Sequence, residues 1–185
     1  MQKWTRILGM DPSFSNWGLA FALMDNSTGE LTIKKLEVIK PQAPKGVKLS
    51  QSDLDLLRSQ YLFENVHKYL HRVDVVCIEV PHGSNSVRSA VGRGVCTGVL
   101  ASLRASTPTP FVLVNAFKTR KVISTEGPVS KEDAIAWATG LYPDAPWPRH
   151  NGKITNAKAE HMADAVTAIH ACLNLPEFTS IKDRE

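Results

Sequence analysis

Two short apolar runs end on an acid and then stop. "ILGMD" reaches Asp11 and is followed by Pro12-Ser13, while "VVCIE" reaches Glu79 and passes through Val80 into Pro81. Both runs have the composition of strands buried on two faces, and proline lacks the N–H that would continue a ladder. Each strand therefore ends near its carboxylate. A carboxylate in that position is costly unless water, a partner or a cation reaches it. If the two strands are neighbours in one sheet, Asp11 and Glu79 come side by side.

The rest of the chain supplies the sheet and its cover. Thr5 to Met10, Trp17 to Met24 and Leu31 to Ile39 read as three strands with short turns, an antiparallel meander, with a slip near Lys34-Lys35 that fits a bulge. Pro41 to Lys48 is a loop. Ser50 caps a helix with Leu54, Leu57, Tyr61, Val66 and Leu70 as its stripe. Val73 to Val80 is the second acid-terminated strand, and Phe111 to Val114 a further one. Ser84 to Ala105 reads as a long helix rich in small residues, whose glycines cost helix propensity and would serve close approach of another helix or the sheet. Ser130 starts a helix, Pro143 to Pro148 interrupts the chain, and Ala157 to Leu173 forms the last helix. The order βββαβαβαα specifies an α/β protein with a mixed sheet. With 185 residues and neither repeat nor linker, residues 1–185 read as a single domain.

Composition narrows the class of partner. Lys+Arg exceed Asp+Glu by 22 to 18, giving a formal charge of +4 and a pI near 9.0, which suits a polyanion without specifying one. Cys77, Cys96 and Cys172 are far apart, form no CxxC pair and sit in apolar surroundings, so they read as reduced core residues of an intracellular protein. The N-terminal stretch has no signal-peptide pattern, and no apolar run is long enough to span a membrane. The expected location is the cytoplasm.

A third stretch, "AEHMADAV", puts His161 and Asp164 three apart on one helical face, with Ala159, Met162, Ala163, Val166 and Ile169 as apolar contacts. A helix packed on the sheet could present that pair to Asp11 and Glu79. Three carboxylates and an imidazole converging would require a hard divalent cation among them; carboxylate oxygen donors suit Mg²⁺ or Mn²⁺. A pair of such ions can activate water and support the leaving oxygen in phosphodiester hydrolysis, with His161 as ligand or proton acceptor. Each member alone has an ordinary reading. Asp11 can be a turn former, Glu79 a loop cap, and Glu160 and Asp164 solvent-facing acids. The set and its order weigh more than any member.

Taken together, strand–Asp-Pro-Ser–strand, "VCIEV", the glycine-punctuated helix and "HMADAV" resemble the RuvC family of Holliday-junction resolvases, in the RNase H-like (retroviral integrase) superfamily, over about residues 5 to 173. The resemblance implies an RNase H-like fold, a mixed five-stranded sheet with helices on both faces. It also implies a crossover junction endodeoxyribonuclease that resolves four-way DNA by paired phosphodiester hydrolysis. Asp11, Glu79, His161 and Asp164 match the metal-binding catalytic set, for two Mg²⁺ ions, with Mn²⁺ as the substitute. "AFKTRKVI" resembles the stretch whose lysine approaches DNA, which nominates Lys118 as a phosphate or transition-state contact, and "VSKEDAI" nominates Lys131. The Ser84–Ala105 helix resembles the family's dimer interface, so a homodimer is expected, in a bacterial cell or a phage-infected host.

The chain also departs from that pattern. "PHGSNSVRS" follows the second acid where the family commonly has a glutamine and an aromatic-bearing loop. His82, Asn85 and Arg88 there, with Lys118, Arg120, Lys121 and Lys131, are the expected DNA contacts. Trp147 either stacks on a base or is a covered loop aromatic, the second being favoured. These departures imply a divergent, phage-type member. Three other readings stay open: a flap or branched-DNA endonuclease of the same fold; an actin-like or sugar-kinase phosphotransferase, which would want a duplicated domain; and a junction-binding protein without catalysis.

Overall fold

The computed structural model describes residues 3–80 and 86–182. Strands β1 (Trp4–Asp11), β2 (Trp17–Asp25) and β3 (Leu31–Ile39) form the meander, and β4 (Val75–Glu79) and β5 (Phe111–Val114) extend it to a five-stranded sheet in the order β3-β2-β1-β4-β5. The β1–β2 and β2–β3 pairs are antiparallel; β1–β4 and β4–β5 are parallel. The slip near Lys34 is a bulge: Phe21 faces Lys35 while Ala22 faces Ile33.

Helices cover both faces. α1 (Gln51–Leu70) and α2 (Val87–Ala105) lie over Leu8, Met10, Leu19, Val76 and Ile78. α5 (Asn156–Leu173) crosses the other face over Ile7, Ala20, Ala22, Val75 and Cys77, with α3 (Ala116–Ile123) and α4 (Lys131–Leu141) packed against it. Alternation along β1 divides its side chains between these two cores. Ser50, Asn115 and Ser130 cap α1, α3 and α4 through side-chain oxygens, Ser130 in a capping box with Asp133.

Several boundaries differ from the sequence reading. Helix α1 buries Leu62, Val66 and Leu70, while Leu57 and Tyr61 stand exposed, so the buried stripe is rotated from the expected one. Helix α2 begins at Val87 with Ser86 as its cap; Ser84 lies outside the described residues, as do Pro81, His82 and Asn85. Residues 116–123 form a helix where the sequence pattern gives no regular element. The Pro143–Pro148 interruption leads into a two-stranded ribbon, β6 (Arg149–His150) and β7 (Lys153–Ile154), and α5 is followed by α6 (Pro176–Lys182). Trp147 is a covered loop aromatic: it is buried, and its Nε1–H donates to the Tyr142 carbonyl at 2.7 Å. All three cysteines are buried and unpaired. No described helix is long and apolar enough to cross a membrane.

Helix α5 sits low on the sheet because two strand positions have no side chain. A Cβ on Gly9 would overlap the Ala165 carbonyl oxygen and stand 2.7 Å from Ile169 Cγ1. One on Gly18 would overlap the His161 carbonyl oxygen and stand 2.6 Å from its carbonyl carbon. In each case the nearest obstacle is helix backbone, which cannot rotate away. Gly9→Ala should therefore lower stability by about 1–3 kcal/mol, the usual range for overpacking. Gly140→Ala, on an open helix surface, should instead gain up to about 1 kcal/mol. Urea denaturation of the two variants checks this; equal midpoints would mean that the close approach is not a constraint.

Candidate active site

Parallel pairing sets the first two acids. Met10 faces Ile78 across β1–β4, so Asp11 and Glu79 leave the sheet at the same edge, the carboxyl ends of both strands. Both are half-buried. Helix α5 brings the other pair over that edge. His161 Nδ1–H donates to Asp11 Oδ2 at 2.9 Å, the tautomer following from the carboxylate acceptor. That bond raises the imidazole pKa above its ordinary value, against burial, which acts to lower it.

Asp164, one helical turn on, carries the largest electrostatic load. Burial and the charges of Asp11, Glu79 and Glu160 push its carboxyl up to about 7, only partly offset by His161. Glu160 is itself held by Lys131, whose Nζ reaches it at 2.6 Å from the first turn of α4. Glu79 Oε2 accepts the Thr119 hydroxyl of α3 at 2.7 Å, and Thr119 is only 4% exposed. The same hydroxyl lies 3.1 Å from the Ala116 carbonyl, but it has one proton, and the shorter, charged acceptor wins.

A cleft of about 940 Å³ opens onto Asp11 and Glu79. Its walls carry four arginines: Arg58 from α1, Arg88 and Arg93 from α2, and Arg120 from α3. Phe14, from the turn after Asp11, also lines it, with the Arg58 guanidinium 5.8 Å from its ring centroid. Of the lysines nominated from sequence, Lys131 approaches the carboxylates through Glu160. Lys118 and Lys121 instead line a separate groove of about 430 Å³ with His170. Thr119 faces Glu79, so Lys118, about 100° around the helix, turns elsewhere, and it is Arg120 that lines the cleft. His82 and Asn85 lie outside the described residues.

The sequence reading missed Thr119, Arg58 and Phe14. A signal for Thr119 existed: with Asn115 as cap, Ala116, Thr119 and Val122 fall on one helical face. Arg58 lies one turn before Leu62 on the rotated face of α1, which the expected stripe hid.

Carboxylate oxygens with one imidazole suit a hard divalent cation, and the raised Asp164 carboxyl marks a place where added positive charge would be favourable. Among the described residues no three such side chains are already closed around one point. The donor set fits a cation by chemistry, in an open arrangement.

A five-stranded 3-2-1-4-5 sheet of this kind, covered by helices on both faces, is the RNase H-like fold. No family model matches the chain. Over 144 residues it is 28% identical to the crossover junction endodeoxyribonuclease RuvC of Rhodococcus opacus, covering 78% of this chain and 72% of that protein. It is 26% identical over 175 residues to that of Nocardia farcinica, covering 92% and 82%. The chain is a distant homologue of the RuvC-like Holliday junction resolvases. Thermus thermophilus RuvC, solved with a Holliday junction substrate, superposes with a TM-score of 0.66 at 19% identity, covering 91% of this chain and 96% of that one. The fowlpox virus Holliday junction resolvase superposes with a TM-score of 0.53 at 13% identity, covering 90% and 96%.

Burial and repulsion at Asp164 give a pH-dependent stability. Between the unfolded carboxyl value of about 3.9 and the folded value of about 7, the folded state holds a proton that the unfolded state releases. Stability from this group therefore falls as pH rises through that window. Asp164→Asn should stabilise the metal-free protein at pH 8 by a few kcal/mol, at about 1.4 kcal/mol for each tenfold change in proton affinity, and by almost nothing at pH 4. Thermal melts of both proteins across that range test this; a pH-independent difference would refute it.

Proposed function

We propose that this protein is a metal-dependent, structure-selective endodeoxyribonuclease that resolves four-way DNA junctions by paired hydrolysis. The observation that carries the reading is the gathering of Asp11, Glu79, Asp164 and His161 at one sheet edge, beneath a cleft walled by arginines. Repelling carboxylates retained under guanidinium groups suit a ligand that is anionic and binds with cations, as a phosphodiester does.

Asp11, Glu79 and Asp164, with His161, would hold two Mg²⁺ ions, or Mn²⁺ in their place. When bound, such ions supply an activated water and charge stabilisation for the leaving oxygen. The chain's own residues do the rest. Thr119 fixes one oxygen of Glu79 and so orients its carboxylate. His161, held on Asp11, keeps a polar ring at the site that can accept or return a proton. Arg120, Arg58 and Arg88 would grip non-bridging phosphate oxygens and set the backbone across the acids. Lys131, tied to Glu160, would be released toward DNA as a phosphate replaces that carboxylate.

Two symmetric nicks need two such sites. The outward face of α2 supports a homodimer. Val87 is 82% exposed, and Gly94 and Gly98 have open space beyond Cα, so these glycines do not serve packing within the chain. Gly94→Glu/Gly98→Glu should yield a monomer by light scattering and lose paired cutting; a dimer that still cuts in pairs would mean that α2 is not the interface.

The central test uses labelled four-way, flap and linear DNA with and without Mg²⁺. Symmetric, ligatable nicks in the junction are expected, and cutting of flaps alone would select the branched-DNA reading. Asp11→Asn should abolish cutting while junction affinity changes less than about threefold. Arg120→Gln should lower kcat/KM by at least about tenfold, a loss of about 1.4 kcal/mol. Lys118→Gln should cost less; the reverse order would assign the contact to Lys118.

A further inference from the structure

We propose that the β6–β7 ribbon is a second DNA-contact element, gripping the phosphate backbone of one duplex arm away from the cutting site; this rests on the nuclease reading above. The ribbon is a built feature. Asn151 (φ 48°) and Gly152 (φ 77°) both take positive φ, as a type I′ hairpin turn requires, and Asn-Gly is the pair that adopts it most readily. Buried Trp147 anchors its base, and the Thr155 N–H closes it onto the Pro148 carbonyl at 2.8 Å. Arg149 braces it through the Gly152 and Pro143 carbonyls at 3.3 and 3.4 Å.

What this frame presents is positive charge. His150 and Lys153 on the ribbon are exposed, as is Lys158 in the following turn of α5, and none of the three makes a side-chain hydrogen bond or ion pair among the described residues. The first turn of α5 contains no acid, and Thr155 makes no side-chain cap bond there. Cations beside a helix N-terminus are unfavourable within the chain, which leaves an external anion as the partner that suits them. Asp144, on the exposed connection before Pro146, is the acid on the adjoining segment, and Glu160 is taken by Lys131. The ribbon feeds directly into the helix that carries His161. Its turn is at most roughly 20 Å from that ring, at about 1.5 Å per helical and 3.3 Å per extended residue. Along duplex DNA, with one phosphate per strand every ~3.4 Å of axis, that reach corresponds to at most about six nucleotides from the cut.

The test measures binding of a fluorescent four-way junction to the full chain over a range of NaCl concentrations. Each phosphate contact contributes about 0.9 to the slope of log K against log salt. Lys153→Gln/Lys158→Gln should lower that slope by about 1.8, two contacts at that value, and remove ethylation interference at phosphates within about six nucleotides of the cut. Lys3→Gln/Lys34→Gln, at the far end and far edge of the sheet, is the control and should leave both unchanged. An unchanged slope in the ribbon variant, or an equal fall in the control, overturns the inference while leaving the nuclease reading intact. A ribbon-dependent slope in a protein that never cuts with Mg²⁺ overturns the nuclease reading and leaves the ribbon's role standing. Absence of any DNA binding overturns both.

Discussion

The closeness of α5 to the sheet governs the site. Gly9 and Gly18 lie on adjacent strands, Gly9 opposite Ala20 and Gly18 opposite Asp11, and the helix backbone occupies the space where their side chains would be. This brings a rigid helix within reach of carboxylates on a rigid sheet, and two packed elements hold geometry better than loops do. A methyl at Gly18 would meet the His161 backbone itself, so the same contact sets both the packing of the fold and the His161–Asp11 hydrogen bond. Packing and chemistry share their determinants here.

That arrangement opposes stability locally. Three acids, Asp11, Glu79 and Glu160, act on the half-buried Asp164 carboxyl and, with burial, raise its affinity for a proton. Two intramolecular contacts moderate the load: His161 on Asp11 and Lys131 on Glu160. The Asp164 carboxyl stays raised despite both, so added positive charge near it would be favourable. Residual charge of this kind has no value to packing, and a functional demand is the physical reason to retain it.

The strands, the two acid-terminated edges and helices α1, α2, α4 and α5 were legible because period, cap and proline signals are local. So was the facing of His161 and Asp164, which needs only helical spacing. Helix α3 was not: eight residues carrying three cations, with a narrow Ala116–Thr119–Val122 face, give little periodic signal. The β6–β7 strands, two residues each, fall below any run length a pattern can register, although Asn151-Gly152 marked their turn. Contacts across the fold were beyond reach for a different reason. The Thr119–Glu79 bond spans 40 residues, and the glycine clearances exist only between a strand and a helix brought together by the rest of the chain.

Charge distribution completes the argument, because net charge hid it. A formal excess of +4 over 185 residues describes an almost balanced chain. The balance is global while the signs are segregated. Acids collect at the carboxyl edge of β1 and β4, arginines wall the cleft above them, and lysines continue along the β6–β7 ribbon into α5. At separations within a Debye length, about 8–10 Å at ordinary ionic strength, such segregation acts as a local field and not as an average. An extended polyanion lying along the cations would carry its backbone over the acids, and the cations it requires would be the same ones the acids lack.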